Sequence, residues 1–132
     1  MSETQRTARR VITIGAALLF VALGFWLMFY PGAVEELYPV TLNDPMAFSE
    51  VRAIFGGMML GIGFAVLALD VLCKRHRDAA LVLAIITGGL VLSRLVGFYY
   101  EGWPTGVVLN EVIFEFVLLT LLITLGAFRR SE

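Results

Sequence analysis

Four stretches of this chain are each long and apolar enough to cross a lipid bilayer, and that leaves few folds open. Val11 to Tyr30 carries no charge and is closed by Pro31-Gly32. A second block runs from about Val51 to Cys73 and stops at Lys74-Arg75-His76-Arg77-Asp78. A third runs from Ala79 to Tyr100 and stops at Glu101-Gly102-Trp103-Pro104, and a fourth from Gly106 to Phe128 ends at Arg129-Arg130. About 20 apolar residues span the hydrocarbon core as a helix. Lipid offers the backbone no hydrogen-bond partner, so only helices or closed barrels cross it. The period-two alternation of barrel strands is absent. Composition agrees, with 59% hydrophobic and 16% charged residues where a soluble domain has about 25% charged. The expected fold is all-α: one polytopic membrane domain, a four-helix bundle with spans at about 11–30, 51–73, 79–100 and 106–128.

The first block follows Arg9-Arg10 but is longer than the apolar core of a signal peptide and lacks a small-residue cleavage pattern, so it reads as a retained anchor. Orientation follows from the cations. Arg6, Arg9, Arg10, Lys74, Arg75, Arg77, Arg129 and Arg130 all fall on one side of a four-span arrangement. The opposite connections, Pro31 to Pro45 and Glu101 to Thr105, contain no lysine or arginine and carry Glu35, Glu36, Asp44 and Glu101. The positive-inside rule then places both termini in the cytoplasm. Trp26, Tyr30, Tyr38, Tyr99, Tyr100 and Trp103 gather toward the outer face as an interfacial belt. A net charge of -1 and the lack of a basic stripe argue against nucleic acid as a partner.

Small residues recur every four positions in two spans. Ala53, Gly57, Gly61 and Ala65 form one stripe, with GxxxG at Gly57–Gly61, and Gly89, Ser93 and Gly97 form another. Such stripes let helix backbones approach in lipid, and the two are expected to face each other across a tight cytoplasmic hairpin. Met58 and Met59 read as lipid-facing or gap-filling.

Arg94 is the residue that a membrane span accommodates least easily. It lies roughly 9 Å along the helix from Tyr100 at 1.5 Å per residue. The last span brings Glu111 and Glu115, four apart and therefore on one face. Arg52 stands near the outer end of the second span, Glu101 is seven after Arg94, and Glu50 and Asn110 sit near the rim. Ionisable groups at such depth turn inward and pair, so Arg52 and Arg94 are expected against Glu111 and Glu115. Two readings follow. The cluster lines a pocket for a small polar or amphipathic ligand, such as a lipid, a quinone or an acid. Alternatively, it is interhelical glue in an accessory subunit of a larger membrane complex or a homo-oligomer.

Catalytic motifs are missing: no H-E-x-x-H, Walker A, nucleotide fingerprint, C-x-x-C or G-x-S-x-G stands in the context that it needs. Cys73 and His76 are the only cysteine and the only histidine, which excludes a disulfide or a metal site built on several of either. They read as an interfacial thiol and a solvated loop imidazole. No catalytic residue, metal or cofactor is expected, and an enzyme using Glu111 or Glu115 as acid or base ranks last among the readings.

The stretches EVRAIFGGMMLGIG (Glu50 to Gly63) and SRLVGFYYEGWP (Ser93 to Pro104), followed by a glutamate in the last span, resemble a family of small bacterial four-helix membrane proteins of unknown function akin to DoxX-like proteins. The resemblance covers nearly the whole chain in span order. It singles out Glu50, Arg52, Gly57, Arg94, Gly97 and Gly102, and it fits either Glu111 or Glu115. It implies four helices in the bacterial inner membrane and no established reaction. The DoxX-like relatives hint at respiratory or redox membrane systems.

Overall fold

A computed structural model describes residues 1–129, apart from the side chains of Glu101 and Val107. These residues form helices and turns, with no strand among them. Helix α1 spans Glu3–Phe29. It begins well before the first apolar block because Ser2 and Gln5 close a capping box, Ser2 Oγ accepting from Gln5 N and Gln5 Oε1 from Ser2 N. Two orphan amides are satisfied there reciprocally. A short helix, α2 (Ala33–Leu37), follows Pro31-Gly32.

Helix α3 runs from Pro45 to Leu72. Asp44 caps it by accepting from Met46 N at 2.7 Å, with Pro45 in the first turn where its missing N–H costs nothing. Its Arg52–Met58 and Ala68–Leu72 stretches are π-helical. After a turn through Lys74, helix α4 covers His76–Glu101, and α5 covers Gly106–Thr124. Gly102 ends α4 at φ 88°, a left-handed conformation that glycine adopts without a Cβ penalty. Helices α1, α3 and α4 are long and apolar enough to cross a membrane, which marks the chain as a membrane protein by length and composition.

The tightest contact joins α1 to α3, and it uses other small residues than the expected stripe. A Cβ on Gly63 would stand 2.6 Å from Val21 Cγ2 and 2.7 Å from Ala17 O. One on Gly56 would lie 2.9 Å from Met28 Cα, and one on Gly24 2.7 Å from Leu60 N. Beside Gly61 and Gly89, in contrast, nothing approaches within 4 Å of an added Cβ, and Gly57 would meet only Arg52 O of its own helix at 3.7 Å. Ser93 is exposed and Gly97 half-buried. The stripe from Ala53 to Ala65 therefore does not face α4. The seam of α3 passes through the first π-helical stretch. Buried positions step from Val51 to Gly56, five residues, before resuming at Leu60, Gly63, Val66 and Asp70. Gly57 and Gly61 each stand one residue past a seam residue, Gly56 and Leu60, and so point about 100° away from it.

The main core gathers Ala16 and Ala17 of α1, Val66 of α3, Ala80 and Leu83 of α4, and Leu118 and Leu122 of α5. A smaller cluster of Leu27, Ala33, Val34 and Val51 seats α2 on α1 and α3, with Tyr38 and Leu42 packed against it.

Candidate functional site

Polar side chains collect at two opposite ends of the helices. At the end that carries α2, Arg94 of α4 meets α5. Its Nε donates to Glu115 Oε2 at 3.2 Å, and its Nη2 donates to Glu115 Oε1 at 3.2 Å and to Glu111 Oε2 at 3.1 Å. One planar fork thus neutralises two carboxylates that share a helix face and would otherwise repel. Glu115 is buried, and Arg94 and Glu111 are half-buried. The Tyr38 hydroxyl, from the turn after α2, donates to the second oxygen of Glu111. Burial first, and then the bond to Glu111, push the Tyr38 phenol well above its ordinary value of 10.0, because both disfavour a phenolate there. Tyr38 is therefore a standing donor, a role that its reading as a belt aromatic does not convey.

Arg52 and Glu50 stay out of this cluster. Both are exposed, and neither forms an ion pair among the described residues. The pairing expected of Arg52 with Glu111 or Glu115 is absent because α3 packs on α1 and turns Arg52 outward. Asn110 is exposed as well. The Glu101 side chain lies outside the described residues.

The opposite end holds a cluster that the sequence reading passed over. Asp70 sits in the second π-helical stretch of α3 with no exposed surface. Arg10 Nε donates to its Oδ1 at 2.9 Å. His76 Nδ1 lies 3.0 Å from its Oδ2, within ion-pair reach but not aligned as a hydrogen bond. His76 is thus no solvated loop imidazole: it packs half-buried against a buried carboxylate. Cys73 is exposed in the adjoining turn. A lone aspartate near the end of an apolar block, with Arg10 and His76 at neighbouring span ends, was the available signal.

Arg9, one residue from Arg10, is buried at 7% exposure. Its Nη1 donates to Gly126 O at 3.2 Å, while its buried Nε has no partner among the described residues. Arg77 Nε donates to Arg129 O at 2.5 Å. Around these groups a cavity of about 880 Å³ opens at the ends of α1, α4 and α5. Among the described residues no group of three or more His, Cys, Asp or Glu side chains is placed to hold a metal ion.

Residues 8–125 match the model of DUF4345, a domain of unknown function. The chain belongs to the DUF4345 family. No curated protein and no solved structure matches it. The DUF4345 match takes in Arg9, Asp70, His76, Arg94, Glu111 and Glu115, and it stops just short of Gly126. In this DUF4345 chain, then, the Arg94 cluster and the Asp70 cluster lie within the matched residues, while Arg6, Gly126 and Arg129 of the basic cavity lie outside them. One polar end engages both of its carboxylates. The other leaves a buried guanidinium beside an open cavity.

Proposed function

We propose that the protein is a four-span inner-membrane protein, both termini cytoplasmic, that works as a non-catalytic accessory subunit, and that the Arg94 cluster is interhelical glue. The single observation that supports this reading is that both carboxylates are engaged. Arg94 spends Nε and Nη2 on Glu111 and Glu115, and Tyr38 takes up the second oxygen of Glu111. Such a set fixes α4 against α5 and ties down the α2 turn, with Arg94 Nη1 alone lacking a partner among the described residues. Helix α5 is the fourth span in this reading, its two glutamates neutralised by Arg94. The likeness to DoxX-like proteins belongs to the same reading.

The test begins with lipids and quinones retained by the purified full-length protein, identified by mass spectrometry for the native chain and for Arg94→Gln. The accessory reading expects a partner protein or a defined oligomer to co-purify from native membranes, and no retained molecule that depends on Arg94. A lipid or quinone held by the native chain and lost from a folded Arg94→Gln protein would establish the pocket reading instead. Orientation has its own reporter. Cys73, the only cysteine, is exposed; an impermeant maleimide should label it in inverted vesicles and not in intact spheroplasts, and the reverse pattern would overturn the topology.

A further inference from the structure

The cavity at the basic end is lined by Arg6, Arg9, Lys74, Arg75, Arg77 and Arg129. The one lining carboxylate, Asp78, is engaged by Arg75 at 2.5 Å and by Arg77 at 3.7 Å. Among the described residues, six cations against one anion leave a formal excess of five positive charges around one opening. Asp70 does not offset them: it lies outside the lining, and its partners are Arg10 and His76. Arg9 decides the matter. Burying a guanidinium is costly unless it is paired and hydrogen-bonded. Arg9 has a backbone carbonyl on one nitrogen, none of the described carboxylates as a partner, and a buried Nε left over. The first turn of α4, which opens at His76 beside the cavity, has no side-chain cap, so its free amides add positive potential at the same place.

We propose that this cavity binds a phosphate-class anion, with the Arg9 guanidinium as its buried anchor and Arg77 and Lys74 closing around it. The planar fork of arginine suits a phosphate's paired oxygens, and lysine acts as a point charge. Two sources share this chemistry. One is the headgroup of an anionic lipid, since basic pockets between helices at a membrane face hold such groups. The other is a soluble phosphate. The proposal goes beyond the accessory reading and does not depend on which face of the membrane the cavity meets.

The experiment uses the full chain in a neutral detergent, with thermal stabilisation measured against inorganic phosphate, and then against mixed micelles of phosphatidylcholine with and without phosphatidylglycerol. Stabilisation by phosphate assigns a soluble source; stabilisation by phosphatidylglycerol alone assigns a lipid headgroup; either supports the site. In both cases Arg9→Gln and, separately, Arg77→Gln should weaken apparent affinity by about tenfold, the scale of one charge-assisted contact. Arg52→Gln, exposed at the far end, should leave affinity unchanged. Where Arg9→Gln does not fold, Lys74→Gln on the exposed rim serves in its place. The proposal is overturned by no stabilisation from either anion, by unchanged affinity in Arg77→Gln and Lys74→Gln, or by an equal loss in Arg52→Gln, which would mean diffuse charge attraction and no site.

Discussion

The two polar ends of this molecule solve the same problem in opposite ways. At the α2 end one arginine, two glutamates and a tyrosine bond to one another across α4, α5 and the α2 turn. At the basic end the carboxylate Asp70 is wholly buried and matched by Arg10 and His76, while Arg9, one position along α1, is buried with none of the described carboxylates against it. The contrast separates two uses of charge in a membrane protein. Balanced groups lock helices together, and a local surplus leaves a place for something else.

That contrast can be pressed at several points. The largest effect is expected from Arg10→Leu, which strips a fully buried carboxylate of its hydrogen-bonded partner; breaking a buried pair from one side costs about 3–5 kcal/mol, read as reversible unfolding in detergent. A loss below about 1 kcal/mol, the range of exposed ion pairs, would mean that His76 suffices for Asp70. Arg94→Leu comes next, at about 1–2 kcal/mol, because the cluster is partly exposed and interhelical polar contacts in membranes are individually modest. Replacing Arg94, Glu111 and Glu115 together by leucine should recover most of that loss, as apolar substitutes for closed ion pairs often do. Failure to recover would speak against glue. Tyr38→Phe removes one hydrogen bond to a charged acceptor and should cost about 1–2 kcal/mol.

Tyr38 also has a pH signature. Its raised pKa means that the folded state holds the phenolic proton more tightly than the unfolded chain does. The stability it contributes is therefore complete below about pH 10, the ordinary tyrosine value, and declines as pH rises above it. The phenolate absorbance of the native protein should still be rising beyond that range, and Tyr38→Phe should lower that late rise by one tyrosine. The smallest effect belongs to Arg52→Gln, within about 0.5 kcal/mol, since an exposed side chain without a partner among the described residues loses nothing of consequence.

Much of the fold could be read from the residues. Apolar length locates the long helices, and Gly102 and Pro31-Gly32 mark where they stop. The opening of α3 was equally legible, because Asp44 followed by Pro45 is a helix start, yet hydrophobicity alone places it six residues later. The Arg94 partners followed from the four-residue spacing of Glu111 and Glu115 and from depth. Two features resisted. A π-helical turn carries no composition signal, so the five-residue step that puts Gly56, and not Gly57, on the seam with α1 could not be read from the sequence. Asp70 was masked by its apolar neighbours, and only the return of α4 and the start of α1 show what its charge meets.

The most direct measurement is a crystal structure of the full chain grown from lipid containing phosphatidylglycerol. The account expects density for a phosphate group against the Arg9 and Arg77 guanidiniums, with Arg94 still closed on Glu111 and Glu115. A bound molecule that opens the Arg94 cluster while the basic cavity stays empty would contradict it.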